Sequence, residues 1–230
     1  MIGEPIIPDD PEALKPFLRE YLGSIAGALQ AIGNGQAYPH TKATAKAQYW
    51  DDLVASFSSG KLVGAGASAP TNATFLGNIE KYKFSATAMN ELNLPAIHIL
   101  HGIKPGTAIY PHIHWCSPGT NTGVVRWGIE YTFAKGHQQG AGSVFPATQT
   151  IYLEQAATGT PYEHQIIETT SGAAISSANI EVDSLFICRV FRDGAHANDT
   201  CTDAVFGLMM DLHYQKGYWA TRNKSPNFYK

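Results

Sequence analysis

Residues 109–133 read IYPHIHWCSPGTNTGVVRWGIEYTF, and this stretch decides the fold. Two runs in it, 109–116 and 124–133, alternate in side-chain polarity, and the segment between them is rich in Ser, Pro, Gly and Asn. Because successive side chains of a strand point to opposite faces, the alternation predicts two strands joined by a turn. We expect a hairpin whose apolar face a second sheet must cover, since a lone hairpin is barely stable in water. The predicted apolar positions are Ile109, Pro111, Ile113 and Trp115 in the first strand and Val125, Trp127, Ile129, Tyr131 and Phe133 in the second.

The chain from residue 46 to residue 230 continues in short alternating or apolar runs. Gly, Pro, Asn and Asp separate these runs, and no helical period lies between them. This pattern is typical of an antiparallel β-sandwich, and we expect about eight strands in one jelly-roll domain over 46–230. Beyond the two strands above, the pattern predicts strands at 82–88, 96–101, 148–154, 164–169, 182–191 and 204–214. The predicted core contains Trp115, Trp127, Ile129, Tyr131, Phe186, Leu208 and Leu212. One face of the last strand is predicted to carry Ala204, Phe206, Leu208, Met210, Leu212 and Tyr214.

Residues 1–45 are predicted to form a separate N-terminal arm. Between Pro11 and Ile32 apolar residues recur every three or four positions, which predicts an amphipathic helix with Asp10 as its N-cap. A single helix of this length is marginal in water, and its apolar stripe needs a partner. We therefore expect this helix to pack against another copy of the chain, and closed symmetry is the usual outcome when identical chains meet. The tail, 216–230, is expected to be a surface strap or an arm between subunits.

Composition excludes several functional classes. The chain has 230 residues, 16 Lys and Arg against 19 Asp and Glu, and a formal net charge of −3. Its cationic residues are scattered, so neither a nucleic-acid surface nor a polybasic membrane patch is expected. No apolar run approaches the roughly 20 residues of a membrane-spanning helix, and we expect no secretory signal. The three cysteines, Cys116, Cys188 and Cys201, cannot all be paired, and the two that lie in apolar strand patterns are predicted to be buried thiols; we expect a protein made in a reducing cytoplasm.

The sharpest candidate for chemistry is His112-Ile-His114, because histidines at i and i+2 of a strand share a face, as in the metal sites of cupins. Asp211 and His213 lie on the polar face of the last strand, and Glu130 is a further carboxylate that a sandwich can bring near. Cupins, however, place a carboxylate a few residues after the His-x-His pair, and this sequence does not. We therefore predict no metal ligand and no catalytic residue, with the histidines hydrogen-bonded within the protein or across a subunit boundary. The alternative is a cupin-like metal-dependent enzyme using His112, His114 and His213.

Other catalytic and cofactor motifs are missing from the sequence. It contains no G-x-S-x-G, no H-E-x-x-H and no phosphate-binding G-x-x-x-x-G-K. GAGASA at 64–69 partly matches a dinucleotide fingerprint, but Pro70 follows where that motif requires a helix. No cofactor is expected. The 11 Tyr and 4 Trp leave a carbohydrate-binding module as another alternative, since aromatic rings stack on sugars.

Several clusters of aromatic residues and histidines, taken in order, resemble a family of structural proteins of tailed bacteriophages. These clusters are YWDDL at 49–53, LHG at 100–102, YPHIHW at 110–115, WGIEY at 127–131, CRVFRD at 188–193 and DLHYQ at 211–215. The resemblance covers about residues 49–215 and leaves out the N-terminal helix. It implies a β-sandwich domain in a non-enzymatic component of a virion, such as a head decoration, a head fibre, or a neck or tail attachment protein. Because similar phage sandwiches commonly form trimers, the resemblance also implies a homotrimer. The other implied partners are capsid, portal, neck or fibre proteins, and no catalytic residues transfer.

Overall fold

The computed structural model describes residues 49–62, 66–170, 174–176, 178, 180–217 and 220–228. Within these residues the protein is mainly β, with twelve strands in two six-stranded antiparallel sheets and a short 3₁₀ turn at Phe57–Ser59. The strands are β1 Tyr49–Ser56, β2 Lys61–Leu62, β3 Thr71–Leu76, β4 Ile79–Phe84, β5 Met89–Asn93, β6 Ile97–His98, β7 Tyr110–Cys116, β8 Val124–Ala134, β9 Gln149–Ala156, β10 Gln165–Glu168, β11 Leu185–Asp193 and β12 Val205–Lys216. In the part of the chain so described, no helix is long and apolar enough to span a membrane. The predicted N-terminal helix lies outside the described residues.

The first sheet is organised around β12, the longest strand. Its order is β10-β7-β12-β4-β3. The start of β12 pairs with β4 and its remainder pairs with β1, while β7 runs along its other edge. Around the second half of β12, the strands of this sheet therefore lie in the order β10, β7, β12 and β1.

The second sheet is organised around β11 and β8. Its order is β2-β5-β11-β8-β9, and the short strand β6 also pairs with β11, beyond β5. The outer face of β8 carries polar side chains, as the alternation predicts. Among them, Glu130 accepts hydrogen bonds from Arg189 Nε at 2.6 Å and Thr148 Oγ1 at 2.7 Å.

The apolar faces of the two sheets pack against each other and form one core. Trp127 of the second sheet meets Phe84 of the first edge to face, with ring centroids 4.9 Å apart, and both are fully buried. This supports the predicted burial of Trp115, Trp127, Ile129, Phe186 and Leu212, while Tyr131 packs partly buried against the core. The largest fully buried members of the core are Phe57, Phe84, Leu92, Ile99, Ile103, Trp115, Trp127, Phe186 and Tyr214.

The predicted hairpin of β7 and β8 is wrong. Both strands exist, but β7 pairs with β10 and β12 in the first sheet, whereas β8 pairs with β11 and β9 in the second. The seven residues 117–123 cross from one sheet to the other, a longer connection than a tight hairpin uses. The two apolar faces therefore meet across the core instead of lying side by side.

The prediction of which face of the last strand is buried is correct only for the second half of that strand. The pairing of β12 with β7 shifts between Gly207 and Met209, an irregularity that reverses which side chains face inward. Val205 lies in the core before the shift and Met210 after it. Leu208 is accordingly only half-buried, so its predicted place in the core is wrong.

Phe206, also predicted to share that face, instead packs against Phe75 and Tyr162, with ring centroids 5.2 and 6.3 Å away. Gly207 follows it where a Cβ atom would lie 2.5 Å from the Phe57 ring, so the close approach requires glycine.

β3 is absent from the prediction, and β4 overlaps the predicted strand 82–88 only at residues 82–84, although the turn that joins β3 to β4 is encoded in the sequence. β3 and β4 form a tight hairpin with Leu76 opposite Ile79, and Gly77 between them has a φ of 57°. Gly-Asn at these two positions is a known signal for a two-residue hairpin loop.

Hydrogen bonds from Arg192 hold the loop 199–203 against the sandwich. Its guanidinium is fully buried and uses all five N–H donors. Nε and Nη2 donate to the two carboxylate oxygens of Asp199 at 2.9 and 2.8 Å. The others reach the backbone carbonyls of Phe84, Cys201 and Asp203 at 3.2, 2.6 and 2.7 Å.

The three cysteines are free and buried, which confirms the predicted burial of the two in strand patterns, Cys116 and Cys188. Burial raises the pKa of the Cys116 thiol to about 11 and that of Cys188 to about 12. At neutral pH these thiols are protonated and unreactive.

Candidate functional site

Four strands of the first sheet place a cluster of ionisable side chains on its outer face, which we call the histidine face. It consists of Asp52, His112, His114, His164, Glu168, Asp211 and His213. On β7, His112 and His114 share this face because they are two positions apart. Across the sheet Asp211 of β12 stands opposite His112, Glu168 of β10 stands opposite His112 on its other side, and Asp52 of β1 stands opposite His213. Directly paired residues of antiparallel strands project to the same side, so the register itself assembles the cluster.

Both histidines of β7 face one carboxylate oxygen. Asp211 Oδ2 lies 3.2 Å from His114 Nε2 and 3.5 Å from His112 Nε2. These separations exceed the 2.7–2.9 Å of a charge-assisted hydrogen bond. His114 Nε2 has no partner with hydrogen-bond geometry despite its nearness to Asp211, and His112 Nδ1 and Asp211 Oδ1 are also buried without one.

His213 lies between two carboxylates. Its Nε2 is 3.0 Å from Asp52 Oδ1, and its Nδ1 contacts Glu168 Oε1. Its ring stacks on that of His112, with centroids 3.9 Å apart. The ring of His213 therefore contacts both the carboxylates at the rim of the cluster and His112 at its buried centre.

His114 has a further histidine partner. His114 Nδ1 and His164 Nε2 are 2.8 Å apart, so one donates a hydrogen bond to the other. The two rings stack with centroids 5.0 Å apart. This contact fixes the orientation of the His114 ring and leaves its Nε2 directed towards Asp211.

Electrostatics differ between the two histidines of β7. Burial lowers the pKa of His114; the nearby Asp211 charge opposes this shift in part, and His112 and His164 reinforce it. Burial also acts to lower the pKa of His112, but the nearby negative charge of Asp211 outweighs it, so that pKa is raised. His114 thus favours the neutral imidazole, the form that binds metal ions.

An open cavity of about 510 Å³ adjoins the histidine face. Trp50 and Tyr110, whose rings meet edge to face at 5.6 Å, form one wall. Glu168, Thr169 and His213 supply polar groups to the lining. The cavity combines aromatic surface with hydrogen-bonding groups.

The structure brings together His112, His114 and His213, the three residues of the predicted metal-enzyme alternative, and adds Asp211. Two sets of side chains have ligand atoms within 4.8 Å of one another: His112, His114 and Asp211, and Asp52, His112 and His213. Glu130, considered with them from the sequence, lies instead in the second sheet.

Sequence reasoning did not assign Asp52, His164 and Glu168 to this cluster. No spacing motif identifies them, because strand pairing brings Asp52 and Glu168 to the histidine face, and His164 lies just before β10.

A second histidine cluster surrounds Asp183. Its Oδ1 lies 3.0 Å from His98 Nε2 and 3.4 Å from His101 Nε2, and its Oδ2 lies 2.6 Å from His137 Nε2. Burial acts to raise the pKa of Asp183, but hydrogen bonds from His137 and His98 outweigh this and lower it. The rings of His101 and His137 also contact buried Phe228, so this cluster holds part of the C-terminal tail against the sandwich.

Fold and site together define an antiparallel β-sandwich with a histidine-rich outer face. No protein-family model matches the chain. No curated protein matches it. Among solved structures, it is similar to the dimeric latent form of PorU from Porphyromonas gingivalis, with a TM-score of 0.31 and 11% identity, over 78% of this chain and 14% of that one. The chain thus spans a small part of that protein, and a likeness at this level identifies neither family nor function.

Proposed function

We propose that the protein is a non-enzymatic structural component of a tailed-bacteriophage virion, acting as a head decoration, fibre, or neck or tail attachment protein. In this proposal the sandwich is a jelly roll that presents surfaces to other virion proteins. The resemblance described above supports the proposal, and its sequence clusters supply strands of both sheets: β1, β7 and β12 in the first, β8 and β11 in the second.

The observation that carries the proposal is the apolar edge formed by β1. Tyr49, Trp50 and Val54 are 60, 50 and 59% exposed on a strand that pairs, within the described residues, with β12 alone. Exposed apolar side chains on a sheet edge favour association with another chain, because they cost free energy in water and the edge has unpaired backbone groups. We propose a homotrimer that uses this edge, with residues 1–45 as the predicted arm that attaches it to its partners.

Self-association is tested by multi-angle light scattering on the full chain and on Val54→Lys. The expected result is a trimer for the natural chain and a shift to smaller species for Val54→Lys, since a charge at a buried contact is costly. Ile79→Lys is the matched control, because Ile79 is similarly exposed at 56% but lies at the β3–β4 hairpin. A monomer at micromolar concentration, or equal loss of assembly in both variants, overturns the use of this edge.

The location in a virion is tested separately by quantitative mass spectrometry of gradient-purified phage particles. Peptides of this chain should appear at a fixed ratio to the major capsid protein. Peptides found solely in the soluble fraction of the lysate overturn the virion assignment.

A second candidate function is carbohydrate recognition, favoured by the cavity beside the histidine face. The Trp50–Tyr110 pair offers stacking surface, and Glu168 and Thr169 offer hydrogen bonds. A glycan array probed with the full chain tests this function. Binding that disappears in Trp50→Ala supports it, and the lack of any glycan signal refutes it.

A further inference from the structure

Three side chains of the histidine face have the identity and spacing of a metal-binding set. Two imidazole nitrogens, His112 Nε2 and His114 Nε2, lie 3.5 and 3.2 Å from the same Asp211 oxygen. In a tetrahedral zinc site with bonds of about 2.0–2.1 Å, neighbouring ligand atoms lie about 3.3 Å apart. The separations found here therefore match the edges of a tetrahedron better than the length of an ionic hydrogen bond.

We propose that His112, His114 and Asp211 bind a divalent first-row transition-metal ion, with zinc as the reference ion. Two imidazoles and one carboxylate form a donor set that such ions favour, whereas Mg²⁺ and Ca²⁺ favour oxygen ligands. Three protein ligands leave the fourth tetrahedral position open. This site does not depend on the virion assignment, because it rests on residues of a single chain.

Unpartnered buried atoms provide an independent reason for a ligand. His112 and Asp211 are 1 and 4% exposed, yet His112 Nδ1 and Asp211 Oδ1 lack a hydrogen-bond partner. His114 Nε2 is also buried without one. Buried polar groups are nearly always satisfied, and a buried carboxylate is costly unless it is paired or coordinates a metal. His114 Nε2 lies 3.2 Å from Asp211 Oδ2, and a cation between them gives this nitrogen a partner and compensates the buried carboxylate charge. His112 Nδ1 is not satisfied in this way, because the proposed ligand atom of that ring is Nε2.

The surroundings of His114 resemble those of a metal ligand. A ligating histidine normally donates its second ring N–H to an acceptor, which fixes the tautomer and the ring orientation. His164 Nε2, 2.8 Å from His114 Nδ1, is placed to be that acceptor. Donation from Nδ1 leaves a lone pair on Nε2, directed towards Asp211 at 3.2 Å. Two electron-rich atoms at this distance require a proton or a metal ion between them.

The backbone holds the three ligands in place before any ion binds. His112 and His114 alternate on β7, and Asp211 stands opposite His112 on the adjacent strand β12. Both strands are interior to the first sheet, with β10 and β1 or β4 on their far sides. Ligands on paired interior strands lose little freedom when an ion binds, which favours affinity.

The test is calorimetric titration of the full, tag-free chain with ZnCl₂ after treatment with a chelator and dialysis. We expect one zinc ion per chain at micromolar or tighter affinity. With Co²⁺ as a probe, we expect the intense visible absorption of a tetrahedral site, bleached by added Zn²⁺. Mg²⁺ should neither bind nor compete. No stoichiometric zinc binding at micromolar concentration overturns the proposal.

Substitutions of single side chains identify the residues that bind the ion. Asp211→Asn keeps the side-chain shape and His114→Gln a similar side-chain size, and each should weaken zinc binding by more than about 100-fold. His164→Phe removes the hydrogen bond that orients the His114 ring, and it should weaken zinc binding by about 10–100-fold. His213→Gln is the matched control from the neighbouring set and should retain binding. Circular dichroism of the metal-free variants checks that each is folded. Zinc affinity unchanged in both Asp211→Asn and His114→Gln, or lost in His213→Gln alone, refutes this assignment.

Discussion

Replacing Arg192 by methionine is expected to destabilise the sandwich more than any surface substitution. The change removes the guanidinium but keeps a long side chain of similar bulk in a fully buried place. Asp199, whose side chain is also fully buried, would keep its charge and lose its bidentate partner. Breaking a buried ion pair by removing one partner costs about 3–5 kcal/mol. Three backbone carbonyls lose their donors as well, which places the expected loss near the upper end of that range.

The assay is equilibrium unfolding in guanidinium chloride, followed by the fluorescence of the four tryptophans. A domain of this kind has a total stability of about 5–15 kcal/mol, so the unfolding midpoint should fall strongly while the slope with denaturant stays unchanged. Lys216→Met is the matched control. Lys216 pairs with Asp51, and because the two side chains are 39 and 42% exposed, removing such a pair should cost about 0–1 kcal/mol.

A double substitution tests the cause of the loss. If an uncompensated carboxylate is responsible, Asp199→Asn should recover part of the stability lost in Arg192→Met, because the amide carries no charge. The two changes should then be strongly non-additive. A loss below about 1 kcal/mol for Arg192→Met, or simple additivity in the double variant, would refute the reasoning.

Three further predictions concern the core. Trp127→Ala should cost about 3–5 kcal/mol in unfolding free energy, and an unchanged midpoint would show that this face of β8 is not buried. The pKa of Cys116 is raised to about 11 and that of Cys188 to about 12, so Ellman's reagent at pH 8 should label neither thiol before denaturant is added. Labelling of either thiol in the folded chain would contradict their burial. Burial, aided by the charge of Asp51, raises the pKa of Tyr214 to about 12 in the folded chain, above the ordinary value of about 10. The folded state therefore holds this proton more tightly, and stability should be retained below about pH 10 and fall by about 2–3 kcal/mol as the pH rises to about 12. Tyr214→Phe should flatten this part of a urea-unfolding profile, and an identical pH dependence in the variant would falsify the assignment.

The sequence by itself determined the features that depend on neighbouring residues. Alternation with a period of two identified β7 and β8 and placed Trp115 and Trp127 in the core, because the direction of a strand side chain is set by its position along that strand. For the same reason the sequence placed His112 and His114 on one face. The buried free thiols also followed from local apolar patterns.

The tertiary structure alone decided which strands become neighbours. Alternation says which face of a strand is apolar but not which strand lies beside it, so β7 and β8 were paired in the prediction and lie in different sheets in the fold. The register shift between Gly207 and Met209 left no periodic signal, and it moved Leu208 out of the core.

Strand pairing also completed the histidine face. The carboxylate missing near the His-x-His pair comes from Asp211, far along the chain, because β12 lies beside β7 with Asp211 opposite His112. Asp52 and Glu168 join by the same route from β1 and β10. Contacts between strands distant in sequence depend on the packing of the whole core, and no local pattern of residues encodes them.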